Sequence, residues 1–399
     1  MTGSNGVNTS APKALRRVWA VLSYRSGENT QILALARELV ARGGWSLEIK
    51  QLDYRPAGLY NLWQGVGLHG IRRQSAAQLH APWPDLVISA GLRNEPPCRW
   101  IRKQSGSRAR IVFLGRSWIR PENLDLLVTT PQYRVPAHPR VLQNRLTLHP
   151  VSAPMLSVSA EQWREAFAAY PGPRIGVLLG GSVGPYVLGE VAIDRVAQYL
   201  NGSGCGSALI TSSSRTAGGL ARGLAARLQK PAFVYAWQPQ DAANPYAGIL
   251  ALADELIVSG DSIAMLSEAV ATAKPVHILD LGAGPWSMGS AAGRASTAED
   301  LNLIARGYRG LMRYGHRRWT RDITLVHREL VSSGQASFMG EARQGGEQPV
   351  PSDMDAAITR IEALWSGQDS ASVGVDAGSS TKRPSTTRYT RSETAANAD

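Results

Sequence analysis

Arg174-Ile175-Gly176-Val177-Leu178-Leu179-Gly180-Gly181-Ser182-Val183-Gly184 is an apolar run of strand length that breaks directly into a glycine-rich turn. A run without polar alternation suits a strand covered on both faces, and in a parallel sheet the turn at its carboxyl end leads into a helix. Downstream the same unit recurs, with helices near residues 187–200, 216–228, 245–252 and 263–272 between strands at 207–211, 232–236, 255–258 and 276–279. Upstream, strands are expected at 18–22, 47–52, 85–90, 110–114 and 125–128. Between the first two, Ile32, Leu35, Ala36 and Leu39 recur at helical spacing until Gly43 and Gly44 stop them, and a further helix is expected around 98–104. A parallel strand pair needs a crossover connection, so the pattern predicts an α/β fold with two Rossmann-like, doubly wound domains facing a cleft.

The boundaries follow from composition. Residues 1–14 are polar and expected to be disordered, and 15–150 form the first domain. Residues 151–173 are a Pro-containing linker with a helix at 160–169; 174–365 form the second domain, with a basic insertion at 282–321 and a last helix at 353–365. The tail, 366–399, has almost no large apolar residue and is expected to be disordered.

The chain has 399 residues and a net charge of +12, which calls for a phosphorylated, lipidic or nucleic-acid partner. Six Lys against 37 Arg is a bias that genomic base composition also produces, and no specific nucleic-acid role is expected. Cys98 and Cys205 are too few for a disulfide framework or a thiolate zinc site, and they fit a reducing compartment. His69, His138, His149, His277, His316 and His327 are not grouped at metal-ligand spacings. With no apolar signal region in 1–14 and no spanning run, a cytoplasmic protein is expected.

Ligands of open α/β sheets bind at the carboxyl ends of strands, beside helix N-termini. Four loops of the second half occupy such places. Gly180, Gly181 and Ser182 can let a phosphate approach the backbone or form a plain tight turn. Ser213 and Arg215 can contact a pyrophosphate, or the serines can cap a helix. Asn244 and Pro245 read as a helix start, which leaves Tyr246 without a structural duty. Asp261 and Ser262 can cap the helix that carries Met265, Ser267 and Glu268, and a carboxylate at 268 can accept from both hydroxyls of a ribose.

The run from Asn244 to Asp254, then Val258-Ser259-Gly260-Asp261-Ser262-Ile263-Ala264-Met265-Leu266-Ser267-Glu268-Ala269 and Ala273-Lys274-Pro275-Val276, resembles the hallmark of the mitochondrial fission ELM1 family. Gly27-Glu28-Asn29-Thr30-Gln31, Pro84 to Gly91 and Gly180-Gly181-Ser182 fall where that family has matching segments. The resemblance implies a GT-B architecture, with acceptor on the first domain and nucleotide-sugar donor on the second. It is similar, too, to the donor segment of the lipid II-forming N-acetylglucosaminyltransferase, where a glutamate holds the nucleotide ribose. Carried over, Glu268 is the ribose ligand, and Gly180, Gly181, Ser182, Ser213, Arg215, Asn244, Tyr246, Asp261, Ser262, Met265 and Ser267 are donor-side candidates. The chain reads Pro131-Gln132-Tyr133 where many members have an acidic-His segment.

The expected activity is transfer of a sugar from a nucleotide diphosphate, UDP favoured, to a cell-envelope or lipid-linked glycan acceptor, with no cofactor. Glu28, then His80, are the candidates for the base. A metal-independent mechanism is expected, since the one D-x-D, at Asp353 and Asp355, reads as helix capping. The basic and aromatic stretch 306–321 is a solvated helix face or a peripheral docking surface for anionic lipid. Two other readings stand beside transfer: a non-catalytic adaptor connected with membranes or fission, and a nucleotide-sugar epimerase.

Overall fold

The structure, a computed structural model, describes residues 15–56, 65–239, 241–342 and 352–366. The disorder expected at 1–14 and beyond Ser366 therefore lies outside the described residues. The first domain runs β1 (Arg16–Leu22), α1 (Ser26–Ala41), β2 (Trp45–Gln51), α2 (Arg73–Ala76), β3 (Leu86–Ala90), α3 (Glu95–Gln104), β4 (Arg110–Leu114), β5 (Leu126–Thr129) and β6 (Val141–Gln143). After α4 (Ala153–Phe167), the second runs β7 (Arg174–Leu178), α5 (Glu190–Gly202), β8 (Ser207–Thr211), α6 (Leu220–Ala226), β9 (Ala232–Tyr235), α7 (Tyr246–Leu252), β10 (Glu255–Ser259), α8 (Ile263–Val270) and β11 (Val276–Leu279). Then come α9 (Ala291–Ala295), α10 (Leu303–Tyr314), α11 (Thr324–Ser332), β12 (Ser337–Phe338) and α12 (Asp353–Ala363).

Among the described residues both sheets have six strands, every pair parallel, in the orders β2-β1-β3-β4-β5-β6 and β12-β11-β10-β7-β8-β9. The expected α/β class with two doubly wound domains is what the chain adopts. In β3 and β5 every residue is buried, as sheets covered on both faces require. α1 ends where Gly43 and Gly44 take positive φ, a conformation costly for any residue with a Cβ. Each sheet has one place where the winding reverses. In the first it lies between β1 and β3, in the second between β7 and β10, and both leave a crevice at the carboxyl ends of the strands.

The halves are joined by more than their linker. α4 begins earlier than expected because Ser152 accepts the Met155 N–H and Pro154 suits the first turn. It packs on α7, where Gly248 leaves room for the Trp163 ring. The last helix, read with the second half of the sequence, packs on the first sheet instead. Ala357, Ile358, Ile361 and Leu364 share a core with Val18, Ala20 and Leu22, and Trp365 meets Trp45 edge to face at 5.0 Å. Ser352, not an aspartate, caps α12; Asp353 accepts the Arg145 and Leu146 N–H groups, and Asp355 pairs with Arg42.

Candidate functional site

The second-domain crevice is built around one buried carboxylate. Asp261, just past β10, accepts the Gly181 N–H (2.8 Å), the Ser259 hydroxyl (2.7 Å) and the Arg215 guanidinium (2.8 Å). Burial pushes its carboxyl above the usual range, while Arg215, Ser259 and Gly181 favour the ionised form. The Gly180 N–H donates to Ser259 Oγ (2.7 Å), and the Gly180 carbonyl accepts from Ser213 Oγ (2.7 Å) and Thr216 Oγ1 (2.5 Å). A Cβ at 180 would come within 2.6 Å of the Asp261 carboxylate, and one at 181 within 2.4 Å of the Arg215 carbonyl. Those glycines are therefore demanded by packing inside the crevice.

This arrangement corrects part of the sequence reading. Of the two readings of the glycine loop, a phosphate cradle or a tight turn, the turn describes these contacts: the Gly180 and Gly181 N–H groups are spent on Ser259 and Asp261. Ser213 belongs to the turn, and Ser182 is exposed. Arg215 is held by Asp261 yet keeps 43% of its side chain in solvent, so it can reach an anion without leaving its partner.

Beside the knot, Tyr246 at the start of α7 donates its hydroxyl to Glu268 Oε2 at 2.5 Å. Asn244 accepts the Tyr246 N–H (3.0 Å) and thereby starts the helix that aims the ring. Burial raises the Glu268 carboxyl to about 7, against the opposing pull of the Tyr246 hydroxyl, and raises the Tyr246 phenol well above its usual value. Glu268 thus changes charge near neutrality while retaining one hydrogen bond. Met265 packs partly buried against the core. Ser262 precedes α8 without a side-chain cap bond. Ser267 turns the other way and does not join the site. It donates to the Ile263 carbonyl (2.8 Å) and accepts from the Thr147 N–H (3.1 Å) and hydroxyl (2.9 Å), so it fastens the end of the first domain to α8.

In the first-domain crevice Glu28, in the opening turn of α1, receives the Ser23 hydroxyl and faces Gly91, where a Cβ would meet its carboxylate at 2.5 Å. Arg25 lies 3.5 Å from it. His80 is not part of this group. It is exposed between α2 and β3, with Nδ1 2.7 Å from the Ala81 carbonyl. A small cavity at the carboxyl ends of β4 and β5 is lined by Gln31, one turn along from Glu28, and by Thr130, Tyr133, Asn144 and Thr147. Thr147 in turn bonds to Ser267 next to Glu268. A larger hollow of about 310 Å³ lies at the ends of β8 and β9, lined by Ser212, Ser214, Gly218, Arg222, Ala236 and Trp237.

Ser259, Thr216, Ser23 and Thr147 were missed by sequence reasoning. Ser259 carried a signal, since it ends a buried strand beside the glycine loop. Ser23 acts on Glu28 only five residues on, and Thr216 and Thr147 act through contacts distant in sequence. Among the described residues no group of three or more His, Cys, Asp or Glu is placed to hold a metal ion.

The Arabidopsis thaliana mitochondrial fission protein ELM1 is 31% identical to this chain over 175 residues, 43% of this chain and 38% of that protein. Among solved structures, MurG of Acinetobacter baumannii matches at 14% identity and a TM-score of 0.38, over 87% of this chain and 99% of its own. A UDP-glucosyltransferase from Polygonum tinctorium matches at 12% identity and a TM-score of 0.45, over 90% and 100%. The family model described as mitochondrial fission ELM1 matches residues 26–294, and the chain belongs to that family.

Proposed function

We propose that the protein is a glycosyltransferase that moves a sugar from a nucleotide diphosphate, UDP in the first instance, to an acceptor hydroxyl. The observation that carries this reading is the Tyr246–Glu268 hydrogen bond between α7 and α8, the helices before and after β10, one of the two strands at the switch point of the second sheet. A half-buried carboxyl poised near 7 can ionise as two neighbouring pentose hydroxyls replace its lost hydration. Arg215, fixed by Asp261 but still half in solvent, supplies charge for the diphosphate. In the transfer the acceptor oxygen bonds to the anomeric carbon, the bond from that carbon to the diphosphate oxygen breaks, and the nucleoside diphosphate leaves with the electron pair. The acceptor proton goes to Glu28, the carboxylate at the opposite switch point. The acceptor this reading favours is a cell-envelope or lipid-linked glycan.

A thermal-shift series with UDP, GDP, ADP, CMP and their sugars tests the proposal, because a ligand at about 100 times its Kd stabilises by about 2.7 kcal/mol. A rise in Tm with one nucleotide family, cut to about half or less in Glu268→Gln, supports it; no shift with any of them sinks it. One observation favours a second reading, a binding module without turnover: the Gly180 and Gly181 N–H groups are satisfied internally. A nucleotide sugar that binds yet stays intact with every acceptor offered would select that reading.

A further inference from the structure

α10 presents a face that nothing among the described residues covers. One side rests on the protein. Ala305 is buried, the Tyr308 ring packs over Gly184 and its hydroxyl accepts the Arg321 N–H (2.9 Å), and Arg309 pairs with Glu299 (2.6 Å) and the Pro185 carbonyl. At about 3.6 residues per turn, Leu303, Gly307, Leu311 and Tyr314 fall on the opposite side, with Ile304 beside them. Leu303, Ile304 and Tyr314 are 83%, 81% and 82% exposed, and Trp319 in the next turn is half-exposed. Arg306 and Arg313, both exposed, run along one flank of this stripe. Residues 301–321 contain six Arg and no Asp or Glu.

A solvated helix face would be polar, and this one is apolar at its centre. A nucleic-acid surface would use the arginines but give Leu303 and Ile304 no role. A second copy of the chain would set two arginine flanks against each other. An aliphatic and aromatic stripe beside an unbroken run of cations matches one chemistry, an anionic lipid surface, with Leu303, Ile304 and Tyr314 among the acyl chains and Arg306 and Arg313 at the headgroups. We infer that the outer face of α10 docks the protein on anionic membrane. Tyr308 and Arg309 hold the helix against residues 183–186, directly after the Gly180–Gly181 turn, so docking would set that turn about one helix diameter from the lipid surface. The inference does not depend on sugar transfer.

The test is flotation of the full chain with phosphatidylcholine vesicles, with or without about one third phosphatidylglycerol, at low and high salt. The bound fraction should rise about tenfold with the anionic lipid and fall with salt. Leu303→Asp combined with Ile304→Asp should abolish binding in both salts. Arg306→Glu combined with Arg313→Glu should remove only the preference for anionic lipid. All four side chains are exposed, and an unchanged Tm in both variants confirms folding. Equal flotation on neutral and anionic vesicles, wild-type flotation of the Leu303/Ile304 variant, or dimerisation that this variant breaks would overturn the inference. So would capture of a DNA duplex in preference to vesicles.

Discussion

If Glu268 receives the ribose hydroxyls, nucleotide-sugar affinity must depend on pH with a slope that this one carboxyl sets. Burial holds it at about 7, so at pH 6 it is about nine-tenths protonated and at pH 8 about nine-tenths ionised. Only the ionised form accepts from two hydroxyls while keeping the Tyr246 bond. Affinity should therefore rise about tenfold from pH 6 to pH 8, about 1.4 kcal/mol. The ligand should be a UDP sugar rather than UDP, because a diphosphate esterified at both ends does not titrate near neutrality. Calorimetry in two buffers of different ionisation heat should count about 0.9 proton released per ligand at pH 6 and about 0.1 at pH 8. Glu268→Gln should bind about 1.5–3 kcal/mol more weakly at pH 8, with no slope. Without ligand the sign reverses. A carboxyl raised by folding contributes stability that is complete below about pH 4.5 and lost as pH rises through about 7, so the Gln variant should be the more stable protein at pH 8. Tight wild-type binding that is flat between pH 6 and pH 8, or a Gln variant of equal affinity, would refute the assignment of Glu268.

Two further outcomes test the frame that holds the site. Gly248→Ala would place a Cβ 2.4 Å from the Trp163 ring, which cannot withdraw while stacked on Phe167, and should cost about 2–3 kcal/mol in urea denaturation; a loss under 0.5 kcal/mol would show α4 free to shift. His327, buried beneath Asp261's loop with Nε2 donating to the Gly260 carbonyl at 2.7 Å, is lowered to about 4 by burial. The unfolded chain takes up this proton below about pH 6.5 and the folded one only near 4, so stability falls across that window by up to about 1.4 kcal/mol per pH unit. His327→Phe should remove that slope, and an unchanged acid profile would contradict the buried neutral ring.

The alternation of apolar runs and glycine stops was legible because a strand covered on both faces has few polar positions to confuse its period. β6 and β12, three and two residues long, offer no period, and their pairing depends on neighbours already in place. α11 carried a signal, for Asp322 accepts the Thr324 N–H and hydroxyl ahead of Leu325, Val326 and Leu330. α12 did not reveal which sheet it covers, since that choice rests on Arg42, Trp45 and Arg110, more than 250 residues away. The candidate site divides in the same way. Chain order places Ser267 and Glu268 together at the right end of the right strand. A helix turns them about 100° apart, one onto Thr147 and the other onto Tyr246. Likewise a glycine loop in sequence is silent on whether its N–H groups are free, and here that depends on Ser259 and Asp261, 79 and 80 residues on. The direction of each group at the end of a strand is set by tertiary contacts, and under the proposed function those directions assign Glu268 and Arg215 to the donor and Glu28 to the acceptor.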